Sequence, residues 1–555
     1  MNRPREIWIV LRELLGIAFS GGVGVVGAQK AKALARAGIR VVLVMPYYTR
    51  AKADGLDVQD TGIELDLPMD YSPVTKRRTR AKVYKVDGWA PGCTVYLIQA
   101  PCFEKEGIYT YTQGEAERCG DRGLVAQGHQ DFFEMNVTLE KAALELIIRL
   151  EARPDIVECH DAHTALIPAM MRIIPRYRGY FRGVATGIIV HNAGRAYNQQ
   201  VFDVRFARAI TELPDAVLET AHHRGGVYPF VVGGMYASWV STVSDKYADE
   251  IMNDPIEDER TDGIGTAFRE RGIHLIGITN GVDPEDYQPT DPMRMKIAAA
   301  YNPARDNLAG KRECRVALIR EIGANSTRNV RFVGHLVDAP GRAMVATISR
   351  LSTMKGIDRC VAGVRRLLRG PDARDALFIA LGTGESEYED ELSGLAAEFE
   401  GRVAVAFGHD VGLANRVFAG ADLFVNAAEF APCETTDFNA ILMGTAPVVH
   451  HVGGLTKVNN KVNGYAYYYH TGEALAEALR TAVDTLVRRP DDHVRLIRQG
   501  IQLIYDWYTW DKVIERGYMP IYEQAMEHSA SPGENGAPGL PECSSGGLTA
   551  REAEA

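Results

Sequence analysis

The chain has 555 residues, too many for one hydrophobic core, so at least two large domains are expected. It is 46% apolar and 24% charged, ordinary values for a globular protein, and its net charge of −10 argues against nucleic acid or an anionic membrane as a general partner. Eight cysteines (Cys93, Cys102, Cys119, Cys159, Cys314, Cys360, Cys433 and Cys543) show no C-x-x-C pair or metal-like spacing, which argues for a reducing, cytoplasmic setting without disulfides or a zinc site.

Arg3, Arg5, Arg12 and Glu13 interrupt the first apolar run, so neither a signal peptide nor a membrane span is expected. EIWIVL (6–11) leads into the glycine-rich FSGGVGVVG (19–27). A helix-period segment, AQKAKALARAG (28–38), stops at Gly38, and IRVVLVMPYY (39–48) reads as a buried strand. The chain therefore opens with a β-loop-α-β unit. Apolar runs at TVYLIQ (94–99), PDIVECH (154–160), GVATGIIVHN (183–192) and WVSTVS (239–244) each adjoin a helix-like segment, the rhythm of a parallel, doubly wound sheet. PEDYQPTDPMR (284–294), rich in Pro and Asp, marks the exit from the first domain.

The second half repeats the rhythm at AMVATIS (343–349), ALFIALG (376–382), VAVAFG (403–408), DLFVNA (422–427) and APVVHH (446–451). DWYTWDKVIERGYMPIYEQAM (506–526) reads as an aromatic-rich helix that must pack on something. From about Ser529 large apolar residues become scarce, the composition of a disordered tail. The expected division is a first domain at 1–285, a connecting region at 286–340, a second domain at 341–505, a C-terminal helix at 506–528 and the tail at 529–555. The fold class is α/β: two Rossmann-like, doubly wound domains facing across a cleft, with ligands at the carboxyl ends of the strands.

Several strand ends carry chemical groups. In GGVGVVG the glycines permit close backbone approach to a phosphate at a helix start, although they equally serve tight strand-to-helix packing. SRLSTMKG (349–356) brings Arg350 and Lys355 past a strong strand, a pair suited to a diphosphate and otherwise two solvated cations. HDAHT (160–164), VHNAG (190–194) and ITNGVD (278–283) are polar strand ends. They offer imidazoles and amides to sugar hydroxyls, while Asn-Gly is also simply a good turn. No third His or Cys cluster accompanies HDAHT, so no metal site is expected.

Taken in order, the GG loop, H-D-x-H-T, V-H-N, T-V-S (242–244), N-G-V-D, S-R-L-x-x-x-K-G, L-G-x-G, F-x-P-C and G-T-x-P-V-V resemble the glycogen synthase and bacterial or plastid starch synthase family. The resemblance runs from about Glu6 to Met526. It implies the GT-B fold, with the C-terminal helix crossing back onto the first domain. It also implies that Arg350 and Lys355 bind the donor diphosphate, that Gly21 and Gly22 contact the donor, and that His163 lies near the transferred glucose. Asn280 belongs to the family's N-G-V-D stretch, and His409 falls where the family has an aromatic residue beside the nucleobase. Cys433, Thr435 and Thr436 would line the donor site; the candidate catalytic residues are His163 and Glu434, with Glu429 the alternative acid if the loop is rearranged. The implied reaction moves glucose from ADP-glucose or UDP-glucose to the 4-hydroxyl of an α-glucan with retention. It requires no metal and no cofactor beyond the donor, and the partners are nucleotide sugar and α-glucan.

Three positions depart from the family pattern. Phe19 replaces the lysine before the first glycines, and Val25 replaces an acid in the following turn. In FAPCETT (430–436) Ala431 replaces the glutamate expected to stabilise the reacting sugar, while Glu434 replaces a glycine. Three readings follow: an active α-glucan synthase with a modified site, a homologue that has lost transfer and binds glucan or sugar nucleotide as a regulator, or a GT-B transferase with another donor or acceptor.

Overall fold

The computed structural model describes residues 3–49, 57–72, 74–306, 308–328, 330–370 and 376–530. It divides into two compact units. The first comprises the chain up to Thr242, Ala248–Ile276 and the segment from Ile514; the second comprises Val243–Tyr247 and Gly277–Val513.

In the first unit the strands are β1 (Glu6–Val10), β2 (Arg40–Pro46), β3 (Asp57–Pro68), β4 (Arg78–Ala90), β5 (Cys93–Gln99), β6 (Ile156–His160), β7 (Ala185–Val190), the short pair β8 (His222–His223) and β9 (Gly226–Val227), β10 (Trp239–Thr242) and β11 (Leu275–Gly277). The main sheet runs β11-β10-β7-β6-β1-β2-β5-β4-β3. The pairings from β10 through to β5 are parallel, and β3 and β4 add an antiparallel edge. β1, β6 and β7 are buried at every residue, so they stand in the sequence as largely apolar runs, with Glu6, Glu158 and His160 as buried ionisable members. The β3–β4 hairpin escapes that signal: its polar alternation in DVQDTGIELDLP reflects one exposed face.

Helix α1 (Gly22–Arg36) follows the glycine-rich loop. A Cβ on Gly24 would meet the Phe19 Cβ at 2.8 Å, and one on Gly27 would meet Leu11 Cδ1 at 2.9 Å. These two glycines let the helix lie close on the segment that links it to β1.

The second unit adds β12 (Val330–Gly334), β13 (Ala343–Ile348), β14 (Ala376–Gly382), β15 (Val403–Gly408), β16 (Leu423–Asn426), β17 (Ala446–His450) and β18 (Tyr465–Tyr467), in the order β12-β15-β14-β13-β16-β17-β18. All pairings are parallel except β12 with β15. Alternate residues face opposite ways: Val345, Phe378, Val405 and Val448 pack under the helices Ile357–Arg369 and Gly472–Arg488, whereas Met344, Leu377, Ile379 and Ala404 pack with Leu318 and Ile322.

The stretch 286–340, read from sequence as a connecting region, carries the helix Ala309–Ala324 and β12, and it belongs to the second unit. Leu318 and Ile322 cover one face of the sheet there. The segment 506–528 is not one helix. Wide turns at Ile504–Tyr508 and Ile514–Tyr518 flank the short helix Trp510–Val513, and the helix Met519–Ala530 follows. The break has a backbone cause: Val282 N–H donates to the Tyr508 carbonyl at 2.8 Å, and Trp510 N–H to the Val282 carbonyl at 3.2 Å. Ser529 and Ala530 complete the last helix, and the rest of the expected tail, 531–555 with Cys543, lies outside the described residues. No helix among the described residues is long and apolar enough to cross a membrane.

Candidate functional site

The polar groups of the second unit gather at the carboxyl ends of its parallel strands. Arg350 follows β13 and is exposed. Lys355 ends a single tight turn (Thr353–Lys355), and Gly356 caps the helix Ile357–Arg369 with φ +62°. A Cβ at Gly356 would stand 2.0 Å from the Ala427 carbonyl oxygen, so this position requires glycine. A cation beside the first turn of a thirteen-residue helix is a favourable place for a phosphate. The L-G-x-G turn after β14 braces this loop: Leu351 N–H donates to the Thr383 carbonyl at 3.1 Å and Glu385 N–H to the Leu351 carbonyl at 2.9 Å.

Lys355 already holds an anion. Its ammonium forms an ion pair with the Glu434 carboxylate, and both side chains are largely buried. Burial alone would raise the Glu434 carboxyl, but Lys355 and Lys457 hold it below its ordinary value, so it stays ionised. Glu434 sits at φ +56°, a left-handed conformation that side chains other than glycine seldom adopt. Lys457 explains how that backbone is retained. Its Nζ donates to the carbonyls of Cys433 (2.8 Å), Glu434 (2.7 Å) and Gly454 (2.8 Å), and lies 3.2 Å from Asp437 Oδ1. Nothing in the motif comparison singled out Lys457. The only signal was a lysine directly after the GGLT turn that follows β17.

Cys433 is buried, and burial pushes its thiol up to about 11, so it behaves as a packing group. Asn280 is also buried, and its Oδ1 has no hydrogen-bond partner among the described residues, which leaves an acceptor for a hydroxyl. Thr435 caps the helix Thr436–Leu442 without a side-chain hydrogen bond. His409 is exposed just past β15.

Ala431 is 1% exposed and packs with Ala428, Val449, Leu455, Val458 and Ala466. The position expected from sequence to lack the family's glutamate thus belongs to an apolar cluster. Restoring that acid as Ala431→Glu is expected to destabilise the protein by about 2–5 kcal/mol, because a carboxylate would enter the cluster without a partner. Urea unfolding at pH 7 checks this; an unchanged midpoint would show that the cluster accommodates the acid.

In the first unit the glycine loop is closed by an acid that sequence reasoning passed over. The Glu13 carboxylate accepts from the N–H groups of Ser20 (2.5 Å), Gly21 (2.9 Å) and Gly24 (3.2 Å). Gly21 therefore has its N–H engaged within the protein, while Gly22 is exposed with open space around its Cα. At the end of β6, Asp161 adopts φ +60° and accepts from His191 N–H at 2.7 Å. Burial pushes its carboxyl up to about 7. His163 is buried against the Tyr109 ring, 5.2 Å between centroids. Burial, and then Arg12, hold its imidazole well below the ordinary range, so it is neutral at pH 7.

Comparison with known proteins follows the same division. A sequence profile of the starch synthase catalytic domain matches residues 6–265, and one of glycosyl transferases group 1 matches residues 342–485. The glycogen synthase of Anaeromyxobacter dehalogenans is 31% identical over 531 residues, covering 95% of this chain and 98% of that protein. This chain belongs to the glycogen synthase and starch synthase family of glycosyltransferases. The glycogen synthase of Moorella thermoacetica is 29% identical over 536 residues, covering 95% and 98%. Among solved structures, the catalytic domain of Arabidopsis thaliana starch synthase IV, bound to ADP and acarbose, superposes with a TM-score of 0.76 at 22% identity, covering 95% of this chain and 100% of that one. The likeness shows the fold, GT-B. The loop after β16 carries two carboxylates, Glu429 and Glu434, with Ala431 between them.

Proposed function

We propose that the chain transfers glucose from ADP-glucose or UDP-glucose to the 4-hydroxyl of an α-1,4-glucan, with retention at the anomeric carbon and with no cofactor beyond the donor. One observation carries the reading: Lys355, at a helix start on the carboxyl edge of a parallel sheet, holds the carboxylate of Glu434 where a phosphate would sit.

In this mechanism Arg350 and Lys355 take the negative charge that grows on the leaving diphosphate. The acceptor hydroxyl attacks on the face the nucleotide leaves, and the departing phosphate takes its proton. Glu434, ionised, moves from Lys355 to the sugar, where it accepts from hydroxyls and faces the positive charge developing at the anomeric carbon. Asn280 Oδ1 accepts from a further hydroxyl, and neutral His163 contacts the transferred glucose. Gly21, Gly22, Cys433, Thr435 and Thr436 line the donor, with His409 beside the nucleobase. Positioning and charge stabilisation do most of the work.

The test is incorporation of labelled glucose from each donor into glycogen by the wild type, Arg350→Ala and Glu434→Gln. Transfer is expected with one donor and is lowered by either substitution; full activity of Glu434→Gln would remove the relocated carboxylate from the mechanism. The apolar floor around Ala431 favours a second reading, a homologue that binds glucan or sugar nucleotide without transfer. No incorporation from either donor, together with measurable glucan binding, would select it.

A further inference from the structure

Beneath the carboxyl edge of the first sheet lies a chain of buried groups that the mechanism above does not use. Lys30, on α1, places its Nζ 2.7 Å from both carboxylate oxygens of Glu158, and both side chains are fully buried. The Tyr522 hydroxyl, from the C-terminal helix, donates to Glu158 Oε2 at 2.7 Å, and Lys30 lies 3.4 Å from the centroid of the Tyr518 ring. On the other side Glu158 Oε1 is 3.0 Å from His160 Nε2, and His160 Nδ1 is 3.0 Å from His191 Nε2. His191 follows β7 directly, at the carboxyl end of the strand, and is the most exposed member of the chain at 8%, against 0% for Lys30 and Glu158 and 1% for His160.

The order of these contacts dictates where the protons are. A carboxylate only accepts, so the hydrogen of His160 must be on Nε2. Burial holds both imidazoles below their ordinary value, His191 more strongly, so each is neutral and carries one hydrogen. His160 Nδ1 is then a bare acceptor, and the hydrogen of His191 must be on Nε2. The remaining nitrogen of His191, Nδ1, carries a lone pair at the carboxyl end of the sheet, two residues past the last register pair (His160 with Ile189) and beside Asp161, which accepts from the His191 N–H.

We propose that Glu158 is a positioning residue, held by Lys30 and Tyr522, which sets the tautomers of His160 and His191 so that His191 Nδ1 accepts a hydrogen bond from a hydroxyl of the sugar substrate. Its place in transfer rests on the glucosyltransferase reading; the tautomer chain does not. The Lys30 and Tyr522 contacts also tie this function to the C-terminal helix, since two of the groups that hold Glu158 lie outside the sheet.

The test uses the full chain with nitrogen-15 in its histidines, the His160 and His191 signals being assigned from His160→Asn and His191→Asn. At pH 7 both rings are expected to carry hydrogen on Nε2 alone. Adding maltoheptaose, or separately ADP-glucose or UDP-glucose, is expected to move the His191 Nδ1 signal, and the ligand that does so tells whether the hydroxyl belongs to acceptor or donor. In Lys30→Met/Glu158→Gln, which removes both charges together, the amide oxygen accepts from Tyr522 and the amide nitrogen faces His160. Both tautomers are then expected to reverse, with KM for the responding ligand rising about 2- to 10-fold. Hydrogen on His191 Nδ1 in the wild type, unchanged tautomers in the double variant, or no response of Nδ1 to any of these ligands would overturn the proposal. Expected tautomers and a ligand response without glucose transfer would instead remove the glucosyltransferase reading and leave the tautomer chain standing.

Discussion

Under the proposed mechanism, Lys355→Ala is expected to lower kcat/KM for glucosyl transfer by about 10²- to 10³-fold, because a preorganised cation at the leaving diphosphate would be lost. The consequence should be harsher than the removal of one charge. Glu434 is held below its ordinary value by Lys355 first among the charges around it, and with Lys355 gone its carboxylate faces the diphosphate directly. Two like charges 4 Å apart in a partly buried site repel by up to about 4 kcal/mol. Removing both, in Lys355→Ala/Glu434→Gly, should therefore bind ADP more tightly than Lys355→Ala alone. Glycine also removes the strain of the left-handed backbone at φ +56°. Calorimetric titration with ADP measures both comparisons. Equal affinity in the single and double variants would show that Glu434 does not face the nucleotide.

The second large effect concerns stability. Glu158→Gln should destabilise the protein by about 3–5 kcal/mol at pH 7, since it leaves the ammonium of Lys30 buried without its carboxylate. Lys30→Met should cost a comparable amount for the converse reason. Lys30→Met/Glu158→Gln is expected to recover more than half of either loss, because the desolvation of both charges disappears together. Urea unfolding of the four proteins closes the cycle, and strict additivity would show that the pair is not coupled. The pH dependence has a definite sign. Burial would raise the Glu158 carboxyl, but Lys30 and His160 bring it from 4.5 down to about 2. Its contribution is therefore fully present above pH 4.5 and is lost as pH falls through about 2.

The two sheets were legible in advance for a physical reason. Strands buried on both faces, such as ALFIALG in β14, have no charged positions and stand out as apolar runs between helices. The edge of each sheet was not legible. β3 and β4 alternate with charge, and β12 follows a helix in a region whose prolines and aspartates resemble a linker. The break at Thr509 depends on a backbone pairing with Val282, more than two hundred residues away, which no local pattern encodes.

The candidate site divides in the same way. Arg350, Lys355, His163 and Asn280 could be picked out by position after strands, and the family comparison places the chain with glycogen synthases. The roles of Lys457, Lys30 and Glu158 could not, because each acts on a partner distant in sequence: Glu158 meets Tyr522 across 364 residues, and Lys457 meets Glu434 across 23. The sequence by itself determined the α/β class, the family and the absence of an acid at position 431. Only the tertiary structure decided that this position is an apolar floor, that Lys355 is occupied by Glu434, and that a buried charge pair stands behind His191. Periodicity reports how each strand is buried, whereas ion pairs and tautomers depend on which side chains folding brings within 3 Å of one another.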